Sequence, residues 1–256
     1  MTKLYLQDNQ PEGVPPLQLT GERTLPDVPE ENYWFRRHLV VYEWIAARAH
    51  GRHVVDLACG EGYGSAVLGR TAASVVGVDA NPEAYEHARL KYTGANVSFE
   101  RTMIELWEGD ADCVVFLQTI EHVQDADAVL DRIRTLIGPG GVAYVSTPNV
   151  LTLAPEGAEK SGNPWHIKEY RAHEFRALCE GSFEHVELLG LFHARKLRLH
   201  ELAIERGWDA LHARLGITRP FYEWFTPAIS ERDFKLRAGP DRTLDRALDF
   251  LAVLRP

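Results

Sequence analysis

Five short apolar runs, at residues 54–58, 74–78, 96–99, 113–117 and 142–146, alternate with helical segments near 63–70, 82–92 and 126–137. Strands separated by helices cannot close as hairpins; they pair in parallel, and the connecting helices cover both faces of the sheet. Val54-Val-Asp-Leu-Ala and Val75-Val-Gly-Val are nearly all apolar, as strands buried on both faces must be. After Pro148 the pattern predicts a loop, a helix near 168–180, a strand at 183–192, a polar-rich helical region near 196–214 and a last strand, Phe250-Leu-Ala-Val-Leu. The expected fold is α/β, a doubly covered, mostly parallel sheet of seven strands with a small helical insertion before the last strand.

Residues 1–32 hold Pro11, Pro15, Pro16, Pro26 and Pro29 with Gly13 and Gly21, which disfavour helix and central strand alike. They read as an N-terminal arm, and residues 33–256 as the domain. The domain opens with Tyr33, Trp34, Phe35, Leu39, Tyr42, Ile45 and Ala46 at helical spacings, with Arg36, Arg37 and Glu43 between them. Within the domain, residues 195–246 are extra material carrying Trp208, Phe221, Tyr222, Trp224 and Phe225. Three readings stay open for it: a cap over the carboxyl edge of the sheet, a homodimer surface, or a satellite cluster on the sheet edge.

With 37 acidic against 28 basic residues, the net charge of -9 opposes the attraction that dominates nucleic-acid binding. Cys59, Cys113 and Cys179 lack the paired spacings of a zinc site or disulfide framework and read as reduced thiols. The opening residues have no continuous apolar stretch, and no run approaches the roughly 20 residues of a membrane helix. The expectation is a cytoplasmic protein with no membrane partner.

The first apolar run leads into Asp56-Leu-Ala-Cys-Gly60-Glu-Gly62-Tyr-Gly64, and the second ends at Asp79. In an open parallel sheet such a turn lies at the carboxyl edge, where ligands bind. Gly60, Gly62 and Gly64 allow backbone dihedrals and close approach denied to residues with a Cβ, while Asp79 offers two oxygens to a pair of ribose hydroxyls. Dinucleotide binders want Gly-x-Gly-x-x-Gly, with a helix N-terminus facing a pyrophosphate; here the third glycine comes one position early and Ser65 follows it.

On these residues the chain resembles the class I S-adenosylmethionine (SAM) dependent methyltransferases, with their Rossmann-like fold, over roughly residues 50–193 and the last strand. The resemblance implies SAM as cofactor. It implies that Asp56, Ala58, Cys59, Gly60 and Gly62 wrap its methionine part, that Asp79 and Ala80 hold the ribose, and that Thr102 and Met103 flank the adenine. The end of the fourth strand, at Gln118, would face the methionine part.

Displacement from a sulfonium requires an aligned nucleophile and, for a hydroxyl, removal of its proton. Gln118-Thr-Ile-Glu121-His122 and Asn163-Pro-Trp-His166 supply candidates after the fourth and fifth strands. His122 or His166 can act as a base near neutral pH. Alternatively Glu121, His122 and His166 can hold Mg2+ or another divalent cation, as in family branches with Glu-x-x-Glu-His, although Gln118 replaces the first glutamate. His173, His185, His193, His200 and His212 sit in helix or strand patterns and read as structural.

Leu19-Thr-Gly-Glu-Arg-Thr, Glu31-Asn-Tyr-Trp-Phe-Arg-Arg-His38, Asn163-Pro-Trp-His166, Leu191-Phe-His and Asp241-Arg-Thr-Leu-Asp245 resemble a narrower group, actinobacterial methyltransferases of polymethylated polysaccharides. That resemblance implies a sugar hydroxyl as acceptor. Tyr33, Trp34 and Trp165 offer stacking faces, and Arg37 and His38 offer hydroxyl partners. The alternatives are methylation of an RNA 3′-terminal ribose, methylation of a small natural product or quinone, and a SAM-binding scaffold without catalysis.

Overall fold

The computed structural model describes residues 5–21, 23–155 and 157–256. Met1 to Leu4 of the expected arm, and Glu22 of its Leu19-Thr-Gly-Glu-Arg-Thr motif, lie outside the described residues.

The five apolar runs become β1 (His53–Leu57), β2 (Ser74–Val78), β3 (Val97–Glu100), β4 (Cys113–Leu117) and β5 (Val142–Pro148). All five pair in parallel, and Leu57 stands level with Val78 on one side and Phe116 on the other. Between them run α2 (Tyr63–Leu68), α3 (Pro82–Tyr92) and α4 (Ala126–Ile137). The two faces alternate residue by residue. Val54, Cys113, Val115 and Tyr144 pack under Tyr42 and Ile45 of α1 (Asn32–Ala46), while Val55, Leu57, Val114 and Phe116 pack against Leu130 and Ile133 of α4. Each such side chain, fully buried, contributes about 1.5–3 kcal/mol.

The expected Rossmann-like α/β class is borne out, with one correction. The sheet has eight strands, in the order β3-β2-β1-β4-β5-β8-β6-β7. β6 (His185–His193) and β8 (Asp249–Arg255) are the expected late strands; β7 (Phe234–Ala238) was not foreseen. β7 pairs antiparallel with β6 on the sheet edge, and its Lys235 and Arg237 interrupt any apolar run. An edge strand exposed on one face carries no continuous hydrophobic signal. The polar helical region is also divided: Gly207, at φ 87°, separates α7 (Arg195–Ile204) from α8 (Trp208–Arg214), and α9 (Thr218–Phe225) follows. Short helices α5 (Val150–Leu153) and α10 (Asp241–Leu244) and the expected α6 (Ala172–Ser182) complete the set.

The described residues of the arm share a small core of their own, Leu17, Leu25 and Val28, and several of their contacts with the domain meet at one carboxylate. Glu61, in the glycine turn, accepts from Gln7 Nε2 (2.9 Å), His87 Nε2 (2.9 Å), Lys91 Nζ (2.9 Å) and Tyr92 OH (2.9 Å). His87 donates through Nδ1 to the carbonyl of Pro15 (2.7 Å). All three cysteines are free and buried, and among the described residues no helix is long and apolar enough to cross a membrane.

The third glycine of the turn answers to packing. A Cβ on Gly64 would stand 2.2 Å from the Tyr42 ring, so its close approach is to α1 and not to a ligand. Gly64→Ala is expected to cost about 1–3 kcal/mol through overpacking, read as a lower urea midpoint with unchanged slope; an unaltered midpoint would show that Tyr42 can swing aside.

Candidate active site

The carboxyl ends of β1, β2, β4 and β5 open into one cavity of about 870 Å³, bordered by Gly21, Arg23 and Thr24 of the arm and by the loop Asn163–Ile167. It lies where the strand order reverses between β1 and β4, the place at which open parallel sheets take ligands.

At the β1 end the backbone turns through left-handed conformations at Ala58 (φ 56°), Gly60 (φ 57°) and Gly62 (φ 96°). A Cβ on Gly60 would meet open space, so glycine is favoured there by its dihedral. Ala58 has no such freedom, and a left-handed non-glycine residue carries strain of about 1–3 kcal/mol; Gln118, ending β4, is a second case at φ 52°. Asp79 is locked by the turn itself: Gly60 N donates to Oδ2 and Asn81 N to Oδ1, each at 2.8 Å. Each carboxylate oxygen keeps a further lone pair, the acceptor set a ribose diol requires.

Ala58, Cys59, Gly60, Asp79, Ala80 and Gln118 all line the cavity. Asp56 does not. It lies below the turn, where Ser65 Oγ donates to Oδ2 (2.7 Å) and Tyr42 OH to Oδ1 (3.3 Å), and burial pushes its carboxyl up to about 7. Gly62 packs against Ala88 and Phe99, and Thr102 and Met103 are not part of the cavity wall, Met103 being half exposed. Burial pushes the Cys59 thiol up, so it is no nucleophile at neutral pH.

At the other end, Gln118 Nε2 donates to Ser146 Oγ (3.1 Å), and the chain then makes a tight 3-10 turn over Ile120–His122. That turn drives Glu121 inward to 1% exposure, where Thr147 Oγ1 donates to Oε2 (3.0 Å) and burial pushes the carboxyl up to about 8. The Glu121 carbonyl accepts Ile167 N (2.8 Å) and Lys168 N (3.2 Å), which draws the 163–167 loop over it. A carboxylate oxygen of Glu121 and one ring nitrogen each of His122 and His166 thereby lie within 4.8 Å of one another. His122 Nδ1 donates to the Trp165 carbonyl (2.8 Å), and its Nε2 lies 3.9 Å from Glu121 Oε1.

The five residues expected to bind an acceptor are placed differently. Trp34 and Trp165 line the cavity at 38% and 50% exposure. Arg37 also lines it, but its guanidinium is engaged: Nε and Nη2 meet Asp249 Oδ2 (2.6 Å) and Oδ1 (2.5 Å). His38 takes Thr24 Oγ1 (2.8 Å), and burial pushes it down to about 4, so the ring is neutral. Tyr33 lies off the cavity wall, its hydroxyl on His193 Nε2 (2.9 Å). Sequence reasoning missed Glu61, Asp249 and Glu169, each of which meets partners far away or inside a loop without a pattern; the acidic Glu61 inside the glycine turn was the one available signal.

A family model described as a methyltransferase domain matches residues 33–201. A protein of Mycolicibacterium smegmatis described as a probable SAM-dependent methyltransferase is 37% identical over 249 residues, covering 94% of this chain and 96% of that one. A Mycobacterium tuberculosis protein of the same description is 36% identical, covering 94% and 90%. A ubiquinone biosynthesis O-methyltransferase of Erwinia tasmaniensis is 33% identical over 116 residues, 42% of this chain and 48% of its own. Among solved structures, a SAM-dependent methyltransferase of Thermotoga maritima superposes with a TM-score of 0.58 at 15% identity, covering 88% and 94%.

The raised carboxyl of Glu121 has a sign in stability. Its folded pKa of about 8 exceeds the value of about 4.3 expected in the unfolded chain, so the folded state holds the extra proton between those values. Stability is then lost as pH rises through that window, by about 1.4 kcal/mol per pH unit at most. Glu121→Gln keeps an acceptor for Thr147 and cannot ionise; it should gain stability relative to the parent from pH 5 to 8 in urea titrations. A constant difference across that range would place the Glu121 carboxyl at an ordinary value.

Proposed function

The chain belongs to the SAM-dependent methyltransferase family, and from that premise we propose that it transfers the methyl group to a hydroxyl of a sugar or glycan acceptor, as an O-methyltransferase. The observation that carries this reading is the convergence of Glu121, His122 and His166 at the open end of the cavity, across from Asp79 and the glycine turn. SAM, when bound, supplies an electrophilic methyl on a sulfonium. Gly60, Asp79 and Ala80 would hold it, with Ala58 and Gln118 shaping the space between the two ends.

A hydroxyl is a poor nucleophile until its proton has somewhere to go. His122 Nδ1 is committed to the Trp165 carbonyl, so Nε2 is the atom that takes the acceptor's proton. Trp34 and Trp165 present apolar ring surface to a pyranose, and the Asp249 carboxylate neutralises Arg37, so the wall around them favours an uncharged polyol over an anion. Glu121, His122 and His166 also gather the donor types of a hard divalent cation, which would supply Lewis acidity at the same hydroxyl, with His166 open to it only once Asn163 Nδ2 leaves its Nε2. A second reading, a small phenolic acceptor, draws on the ubiquinone O-methyltransferase match.

The decisive measurement is methyl transfer to methylglucose and methylmannose oligosaccharides and to a catechol, each with and without EDTA. Activity on the sugars, with His122→Ala and His166→Ala reduced by about 10²–10⁴, is the expected result. Full turnover by both variants on the accepted substrate would overturn the assignment of the proton acceptor.

A further inference from the structure

We propose that Arg23, on the N-terminal arm, is the counter-ion of the cofactor's amino-acid carboxylate, so that the arm forms part of the SAM site. The inference rests on SAM as the cofactor and is independent of which acceptor is methylated.

The charges on the cavity wall single out one partner for an anion. Among the described residues the wall carries two arginines and no lysine. Arg37 is already engaged: its Nε donates to Asp249 Oδ2 (2.6 Å), and its Nη2 donates to Asp249 Oδ1 (2.5 Å) and to the Leu248 carbonyl (2.8 Å). Arg23 is half-buried on that wall, and its side chain makes no hydrogen bond or ion pair among the described residues. His38 is neutral, pushed down to about 4 by burial. Apart from the imidazoles of His122 and His166, the other ionisable groups there include the carboxyls of Glu31, Glu61, Asp79, Glu121 and Asp249, which offer an anion no attraction. SAM nevertheless carries a carboxylate in its amino-acid part, and a carboxylate taken out of water without a cation is costly. A guanidinium with unused donors meets that need, since its planar fork matches both carboxylate oxygens.

The arm is fastened on both sides of Arg23. Before it, the Pro15 carbonyl accepts from His87 Nδ1 (2.7 Å), and His87 Nε2 is bonded to Glu61 of the glycine turn (2.9 Å). After it, Thr24 Oγ1 lies 2.8 Å from His38 Nδ1. His38 and Tyr42 stand one helical turn apart on α1, and both line the cavity; the Tyr42 hydroxyl reaches Asp56 beneath the glycine turn. Helix α1 and Glu61 thus tie the stretch that carries Arg23 to the turn whose Gly60 and Asp79 would hold the cofactor. The amino-acid part distinguishes SAM from a plain adenosine thioether, and Arg23 is the residue that would read the difference.

The test is isothermal titration with two compounds: S-adenosylhomocysteine, and 5′-methylthioadenosine, which keeps the nucleoside and the sulfur but lacks the amino acid. In Arg23→Ala, Kd for S-adenosylhomocysteine should rise about tenfold or more, the worth of a charge-assisted pair, while Kd for methylthioadenosine stays at the parent value. Arg23→Lys should recover part of the loss, because it keeps the charge without the fork. With no internal hydrogen bond to lose, both variants should keep the parent's thermal midpoint. An unchanged affinity for S-adenosylhomocysteine overturns the inference, and a simultaneous rise in KM for the acceptor would assign Arg23 to the acceptor instead. Equal losses for the two compounds overturn it as well, since the residue would then act on the shape of the wall. A parent protein that binds neither compound would remove the cofactor reading together with this inference.

Discussion

The carboxyl group of Asp56, sealed beneath the glycine turn, is the point through which three elements are joined. It belongs to β1, accepts from Ser65 of α2 and from Tyr42 of α1, and stands clear of the cavity it supports. The Tyr42 ring lies where a side chain on Gly64 would be, so helix α1 can come down onto the turn only if that residue has no Cβ. A buried carboxyl with few donors is held in its neutral form by desolvation, and burial does raise Asp56 to about 7. The floor of the ligand cavity is therefore a packed, hydrogen-bonded junction, which is how a left-handed Ala58 can persist above it.

The same turn anchors the arm. Glu61 gathers Gln7, His87, Lys91 and Tyr92, so a residue of the glycine turn also fixes a segment that has little regular structure of its own. Because the arm contributes Gly21, Arg23 and Thr24 to the cavity wall, the geometry of the glycine turn and the closure of the cavity share one carboxylate. Glu61 stays ionised despite its burial, because His87, Lys91 and Gln7 outweigh the desolvation cost and hold its carboxyl below the ordinary value.

What could be read in the sequence follows from the range of the interactions involved. β1 to β5 are buried on both faces, and so each prints a continuous apolar run with helical pattern between. β7 escaped because Lys235 and Arg237 alternate with apolar residues on an exposed edge. The glycine turn and Asp79 were legible because backbone geometry is written locally. The sequence offers Arg37 as a hydroxyl partner because its actual partner, Asp249, lies 212 positions away and meets it only after β8 inserts between β5 and β6. Glu169 carries no motif; its partners Ser161 and His166 lie in one loop whose hydrogen bonds close on themselves. Thr102 and Met103, matched by position after β3, do not reach the cavity wall, so the adenine contact inferred from resemblance has no counterpart in the cavity.

Proton affinity bears on any cation that would sit beside Glu121. Glu121, raised to about 8 by burial, is mostly protonated at neutral pH, and a divalent cation taking its oxygen must displace that proton. Each unit of pH below 8 then opposes cation binding by about 1.4 kcal/mol. Near neutrality a cation at this carboxylate must therefore first displace a proton, and that competition eases only as the medium becomes alkaline enough to ionise Glu121. Replacement of a first glutamate by Gln118, whose amide is turned to Ser146, acts in the same direction by withholding a second anionic ligand.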